Sequence, residues 1–132
     1  MKLIILISLA VFCSCGISEQ NPDLPDISQS NRIIFSFKTD FDASGKMNIK
    51  TLEISDVKKV SDVKKIISNE PFNYIYCAST GSMSFYKDEA LLSEMVFNTT
   101  PELKHIACNY KGKLVAIKLS GEDAEFLENL KN

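Results

Sequence analysis

The sequence predicts an α+β fold, a largely antiparallel sheet of about seven strands with two helices on one face. Three observations predict it: apolar residues alternate at period two in several short segments, two other segments are amphipathic at helical spacing, and short turns join most strands. The predicted order of elements is ββαβββββα. The chain has 132 residues, 45% of them hydrophobic, which suits one globular domain.

The first two predicted strands form a hairpin. In the segment Ile33–Lys38, the side chains of Ile33, Phe35 and Phe37 fall on one side at period two, as in a half-buried strand. The second strand, Met47–Ile54, follows the turn-forming residues 42–45.

The first helix is predicted after this hairpin. Ser55 caps it with Asp56 in the first turn, and the run Asn69-Glu70-Pro71 ends it. A repeated SDVKK motif places four lysines on its solvated side. Its apolar face is predicted to carry Val57, Val60, Val63 and Ile67.

Five more strands and a helix complete the predicted domain. The strands are Phe72–Cys77, Ser82–Lys87, Leu91–Asn98, Lys104–Tyr110 and Lys113–Leu119. The last helix begins at the capping residue Ser120. It turns Ala124, Phe126, Leu127 and Leu130 toward the core.

The phase of the alternation separates a core face from an outward face. The predicted core face carries Ile75, Cys77, Met83, Phe85, Met95, Phe97, Ile106, Cys108, Val115, Ile117 and Leu119. The outward face carries Tyr74, Tyr76, Tyr86 and His105 among serines and alanines. Because tyrosine is enriched at interfaces, we predict a partner surface there. The alternative is an ordinary solvated face of a sheet, on which tyrosine is common.

The N-terminus predicts export. Lys2 precedes an apolar run, residues 3–12, whose ten residues rise only about 15 Å as a helix, half of a bilayer core. This pattern indicates a signal peptide rather than a transmembrane helix. The junction Ser14-Cys15-Gly16 resembles the lipobox of bacterial lipoproteins, although Phe12 stands where that class usually has leucine.

The resemblance implies cleavage before Cys15 and acylation of that cysteine, so that the chain is anchored in the membrane of the bacterial cell envelope. In enterobacterial lipoproteins an aspartate after the modified cysteine signals inner-membrane retention, and Gly16 therefore favours the outer membrane. The predicted divisions are a signal peptide at 1–14, a flexible tether at 15–31 and the domain at 32–132. The alternative is a secreted soluble protein cut nearby.

Two cysteines remain in the domain. Cys77 and Cys108 share the core phase, so they either form a disulfide that closes a loop of about 30 residues or stay as two buried thiols.

A metal site is a weak alternative at the first turn. Asp40, Asp42 and Ser44 match the first half of a calcium loop, but Thr51 stands where that loop needs glutamate, which favours a simple hairpin turn. A single histidine and the lack of a CxxC motif leave zinc without a ligand set.

The net charge and the motif content of the chain limit the classes of function that we expect. The net charge of −2 lacks the positive excess that nucleic acid requires, and no catalytic motif or cofactor site is recognisable. We therefore predict a membrane-anchored envelope lipoprotein whose non-enzymatic domain binds a protein or another envelope component. The alternatives are an immunity- or inhibitor-type protein, and a small envelope hydrolase whose site is built from scattered residues.

Overall fold

A computed structural model describes residues 22–73 and 78–132, and within them the chain forms a six-stranded antiparallel sheet with two helices. The strands are β1 (Arg32–Phe41), β2 (Met47–Ile54), β3 (Gly81–Lys87), β4 (Ala90–Asn98), β5 (His105–Tyr110) and β6 (Lys113–Lys118). The helices are α1 (Val57–Lys64) and α2 (Gly121–Lys131). The strand order is β2-β1-β3-β4-β5-β6, and the predicted α+β class is confirmed.

The described residues form six strands where seven were predicted, and the strand that differs is the one predicted over Phe72–Cys77. Residues 74–77 lie outside the described residues. In the described part, Pro71 forms an isolated bridge with Ile117, and the Phe72 N–H donates to the carbonyl of Ala116 at 3.0 Å. This segment therefore makes a short contact along β6, beginning one residue before the predicted strand.

The core face of the sheet is the one that the alternation predicts. Its described members are buried, except for Val115, which is partly buried against the same core. The Phe35 and Phe37 rings stack with centroids 5.5 Å apart, and the Phe97 ring meets both edge-on at 6.4 and 5.9 Å. Both helices add their buried residues to this one cluster, which places them on the same side of the sheet.

The start of α1 differs from its prediction by one residue. Asp56, not Ser55, is the N-cap, and its carboxylate accepts the Lys59 N–H at 3.0 Å. The helix buries Val60 and Val63, whereas Val57 is 86% exposed. A spacing of three residues rotates a helical side chain by about 60° at each step, so Val57 lies roughly 120° from Val63.

The second helix, α2, begins as predicted. The Ser120 hydroxyl accepts the Asp123 N–H at 3.0 Å, and Ala124 and Leu127 are buried. The Thr99 hydroxyl donates to the Glu128 carboxylate at 2.6 Å, which fixes α2 to the β4–β5 connection. Hydrogen bonds from Lys131 and then Thr99 lower the pKa of Glu128. No helix in residues 22–73 and 78–132 is long and apolar enough to span a bilayer.

The last part of the predicted tether is folded. Ile27 is buried in the core, and Leu24 packs against it. The Lys64 ammonium donates to the Ser28 carbonyl at 2.8 Å, and the Asn31 N–H donates to the Tyr86 carbonyl at 2.9 Å. The end of the predicted flexible tether is therefore packed against the domain beside α1.

The Gly81→Ala substitution should destabilise the domain. A Cβ on Gly81 would lie 2.4 Å from the Phe97 ring and 2.7 Å from the Ser36 carbonyl oxygen, so both strands would have to shift. We expect a loss of about 1–3 kcal/mol in the free energy of unfolding, the range for overpacked cores. Denaturant unfolding measures it.

The matched control is Gly121→Ala. Its added Cβ meets only the flexible end of Lys104, at 3.4 Å, at the start of a helix. A loss in Gly81→Ala no larger than in this control would contradict the packing described.

Candidate functional site

The outer face of the sheet, opposite the helices, carries small and polar side chains. Its half-buried or buried small residues are Ser36, Ser82, Ser84, Ala107 and Ala116. We call the end of the sheet with the β1–β2 turn and the β4–β5 connection the upper end. The end with the β3–β4 and β5–β6 turns is the lower end.

His105 does not lie on an open surface. It is 3% exposed, its ring stacks on Phe72 with centroids 4.8 Å apart, and its Nδ1 lies 2.5 Å from the Leu103 carbonyl oxygen. The neighbouring Asn98 is also buried and donates to the Ala78 carbonyl at 3.1 Å. Phe72 and Ala78 belong to the connection from α1 to β3, and they cover His105 and Asn98 at the upper end of the outer face. His105 is therefore not exposed on the outer face, as the partner surface predicted from the sequence required.

Tyr86 lies far from His105. Seven residues of β4 separate Leu91, the partner of Tyr86, from Asn98, the partner of His105, which is roughly 23 Å of strand. Tyr86 is half-buried and has the Arg32 guanidinium 4.4 Å from its ring centroid. The other two members of the predicted surface, Tyr74 and Tyr76, lie outside the described residues. The described half of that surface is therefore not one patch.

Asp42 organises the first hairpin turn. Its Oδ1 accepts the Ser44 N–H and the Lys46 N–H, each at 2.9 Å, and the Ser44 hydroxyl at 2.6 Å. The hydrogen bonds from Ser44 and Lys46 lower the pKa of Asp42. Asp42 and Ser44 thus belong to the hairpin turn, while Asp40 lies within β1. Across residues 22–73 and 78–132, no three acidic, His or Cys side chains gather as a metal site.

Cys108 is buried on the core face of β5, as the alternation predicts. Burial raises the pKa of its thiol, which keeps the reactive thiolate scarce at neutral pH. Cys77 lies outside the described residues, so its pairing with Cys108 stays a prediction. His105 is three residues away on the opposite face of the same strand and cannot act on the Cys108 thiol.

The β1–β2 hairpin projects beyond its neighbour. Strand β1 pairs with β3 only as far as Phe37, opposite Gly81, but with β2 as far as Phe41, opposite Met47. Residues 38–49, which we call the hairpin arm, therefore extend from the upper end. Phe41 and Ile49 are 66% and 55% exposed there. The first strand predicted from the sequence ends at Lys38 and so leaves out the arm, although Phe41 is the next large apolar residue along the chain.

The two edges of the sheet differ. At the β6 edge, the Lys118 N–H donates to the Glu70 carbonyl at 2.9 Å, and Phe72 contacts Ala116 as described above. At the β2 edge, no backbone hydrogen bond from any described residue reaches the outer side of the strand. Unpaired backbone groups on an edge strand are a template for another strand. The β6 edge is therefore covered at residues 116–118, whereas the β2 edge has no such cover from the described residues.

The β2 groups that point away from the sheet follow from the register. The Lys38 N–H donates to Thr80, on the β3 side, at 3.0 Å, so the N–H of Phe37 points toward β2, opposite Lys50. Because the direction alternates along an antiparallel strand, the N–H groups of Ile49, Thr51 and Glu53 point outward.

A cleft opens where β4 and β5 diverge. Their pairing is limited to residues 96–98 and 105–107. Below it lies a cleft of about 570 Å³ whose lining includes Pro25, Leu92, Glu94, Asn109 and Leu114. Glu94 and Asn109 are exposed, so the cleft opens to solvent.

Comparison with protein-family models, curated proteins and solved structures finds no match to this chain.

The Cys108 thiol should be protected in the native protein. We expect alkylation of Cys108 at neutral pH to be at least about tenfold slower than in denaturant, because the buried thiol has a raised pKa. Peptide mass spectrometry resolves this cysteine from Cys77. Equal rates in the native and denatured protein would show that β5 does not bury this side chain.

Proposed function

We propose that the protein is a lipid-anchored component of the bacterial cell envelope whose domain binds an extended segment of a protein partner by adding it as a strand along β2. The observation that carries the proposal is the uncovered β2 edge beside the exposed Phe41 and Ile49. Monomeric proteins usually protect such an edge, since it invites pairing with other chains. An edge left open beside apolar side chains favours a specific partner.

Strand addition fits the chemistry of β2. Backbone hydrogen bonds to Ile49, Thr51 and Glu53 supply affinity that depends little on the sequence of the partner. Side chains on the two faces supply selectivity. Ile49 offers an apolar contact on the outer face, while Glu53, which pairs with Arg32 at 3.5 Å, marks the lower end of the edge.

The membrane anchor is supported by the short apolar run and the Ser14-Cys15 junction. The fold is compatible with it, because the first described residues and the hairpin arm lie at opposite ends of the sheet. The Asp23 carboxylate contacts Lys111 in the β5–β6 turn at 3.0 Å, at the lower end. An anchored chain would thus hold the arm away from the bilayer. Gly16 after the modified cysteine favours the outer membrane.

The inhibitor-type alternative would use the same edge, since an added strand can also block a partner. The hydrolase alternative has no comparable support in the described residues, where His105 is buried against Phe72 and Cys108 faces the core. We therefore propose a binding module without enzymatic activity.

Acylation of Cys15 is the first test. We expect mass spectrometry of membrane-fraction protein to find a chain that begins at Cys15 with acyl groups attached. Several acyl chains anchor stably, because each buried methylene contributes about 0.8 kcal/mol. The Cys15→Ala variant should leave the membrane fraction. An unmodified N-terminus, or a variant that stays membrane-bound, contradicts the anchor.

Pairing along β2 is the second test. A photo-crosslinking side chain at Ile49 in the full lipidated protein should give a discrete adduct in its own envelope. Thr51→Pro removes an outward N–H without removing a bond to β1, and edge strands tolerate proline. We expect binding to weaken about tenfold or more, since one lost hydrogen bond costs about 1 kcal/mol and the ring also obstructs the added strand.

The matched control is Thr51→Val, which keeps the N–H and the strand propensity. The adduct should persist in Thr51→Val and disappear in Thr51→Pro, with similar thermal midpoints for both. A crosslinker at the exposed Glu125 of α2 should give no adduct. An adduct that survives Thr51→Pro would rule out strand addition.

A further inference from the structure

Two leucines are exposed at the lower end of the sheet. Leu91 is 52% exposed and Leu114 is 54% exposed. Leu91 pairs with Tyr86, and Leu114 pairs with Asn109, so both side chains lie on the outer face. Each stands beside a hairpin turn, Leu91 after the β3–β4 turn and Leu114 after the β5–β6 turn.

The chain enters the domain at this same end. Asp23 contacts Lys111 in the β5–β6 turn at 3.0 Å, and the Asn31 amide donates to Asp88 in the β3–β4 turn at 2.9 Å. Residues 23–31 therefore run from one turn to the other. The segment that precedes them ties the lower end of the sheet to whatever holds the N-terminus.

The distance to an anchor at Cys15 is short. Cys15 and Pro22 are seven positions apart along the chain, a distance of at most roughly 25 Å when extended and about 15 Å on average as a flexible coil. The ten residues of β1 are about 33 Å long. The lower end is thus held within reach of the bilayer, whereas the hairpin arm is a strand length farther away.

We propose that the lower end of the domain docks on the surface of the bilayer that holds the anchor, with Leu91 and Leu114 inserted at the boundary between headgroups and acyl chains. This inference rests on the proposed lipid anchor. The apolar face of an interfacial helix lies about 5–10 Å deep in that boundary, and exposed leucines at the end of a sheet can occupy the same layer. Lysines can keep their ammonium groups among the lipid phosphates while their stems cover apolar surface.

The charged side chains at the lower end balance one another, so the orientation of the domain on the bilayer depends on the two leucines and the tether. Lys87, Lys111 and Lys113 adjoin the two turns, and Asp23, Asp88 and Glu89 balance them. Asp23 and Asp88 are engaged by Lys111 and Asn31, so Glu89 is the acid of the turns with the most freedom to face the headgroups. The lower end thus offers apolar insertion without a strong electrostatic preference for anionic lipid.

Single tryptophans can measure the docking, because the chain contains none. Leu91→Trp and Leu114→Trp place reporters at the lower end. The matched control is Phe41→Trp, which replaces an exposed aromatic side chain at the opposite end. The full lipidated proteins are reconstituted into phosphatidylethanolamine and phosphatidylglycerol vesicles with brominated acyl chains, which quench nearby tryptophan.

We expect quenching at positions 91 and 114 to be at least about twofold stronger than at position 41, since only the first two reach the acyl boundary. Equal quenching at all three positions would mean that the domain lies on its side, and weak quenching at all three would mean that it stays off the bilayer. Either result overturns the docking while leaving the anchor intact.

A failure of the anchor is recognised separately. Protein that lacks acyl mass and does not float with the vesicles overturns the proposed anchor and the docking together. Each leucine is replaced in its own variant, and thermal unfolding reports whether that variant is folded. If one variant is unfolded, the other still decides the docking. Self-association that buries Leu91 and Leu114 would shield them from lipid, and weak quenching together with a dimer in detergent would overturn the proposal.

Discussion

The contact between the Phe97 ring and the backbone of Gly81 is the constraint on which the sheet depends. The ring occupies the space that a side chain at position 81 would need, at 2.4 Å from an ideal Cβ. It also meets Phe35 and Phe37 edge-on, and so joins β4 to β1 across β3. A one-residue slip of any of these strands would turn its apolar side chains to the outer face, so this packing fixes the register.

One-sided packing has consequences for the rest of the molecule. Both helices and the segment around Ile27 contribute to the same core, and the chain has few large apolar residues left for a second layer. The middle of the outer face instead carries mainly serine and alanine, and at its upper end Phe72 lies against His105. Earlier residues of that connection contact residues 116–118 of β6, whereas no described residue covers the β2 edge in this way.

The two ends of the sheet are therefore unlike. The lower end holds the entry of the chain, two short turns and a pair of exposed leucines, all within reach of the proposed anchor. The upper end holds the hairpin arm, in which β1 and β2 extend beyond the end of their pairing with β3. In this arrangement the membrane and a protein partner would occupy different ends, and neither would require the domain to rearrange. The stacked aromatic core gives the rigidity that such a spacer needs.

What the sequence determined by itself is local. Period-two alternation was enough to identify the core face from Phe35 to Ile117, because neighbouring side chains in a strand must point to opposite faces. The Ser120 cap and the Asp42 turn could also be predicted from the sequence, since each side chain accepts a hydrogen bond from a backbone N–H within four residues. The lipobox resemblance also depends only on adjacent residues, and the anchor that it implies is a proposal.

What only the tertiary structure decided is which outward residues are covered and which edges stay open. His105 has the alternation of a solvent-facing residue but is buried, because a chain segment more than thirty positions earlier brings Phe72 onto its ring. Ile27 lies in a polar stretch that resembles a linker, yet it reaches the core because α1 passes beside it. The β2 edge is open because β2 lies at the end of the strand order, and local sequence patterns do not predict that order. Such features depend on the path of the whole chain, and local spacing carries no information about that path.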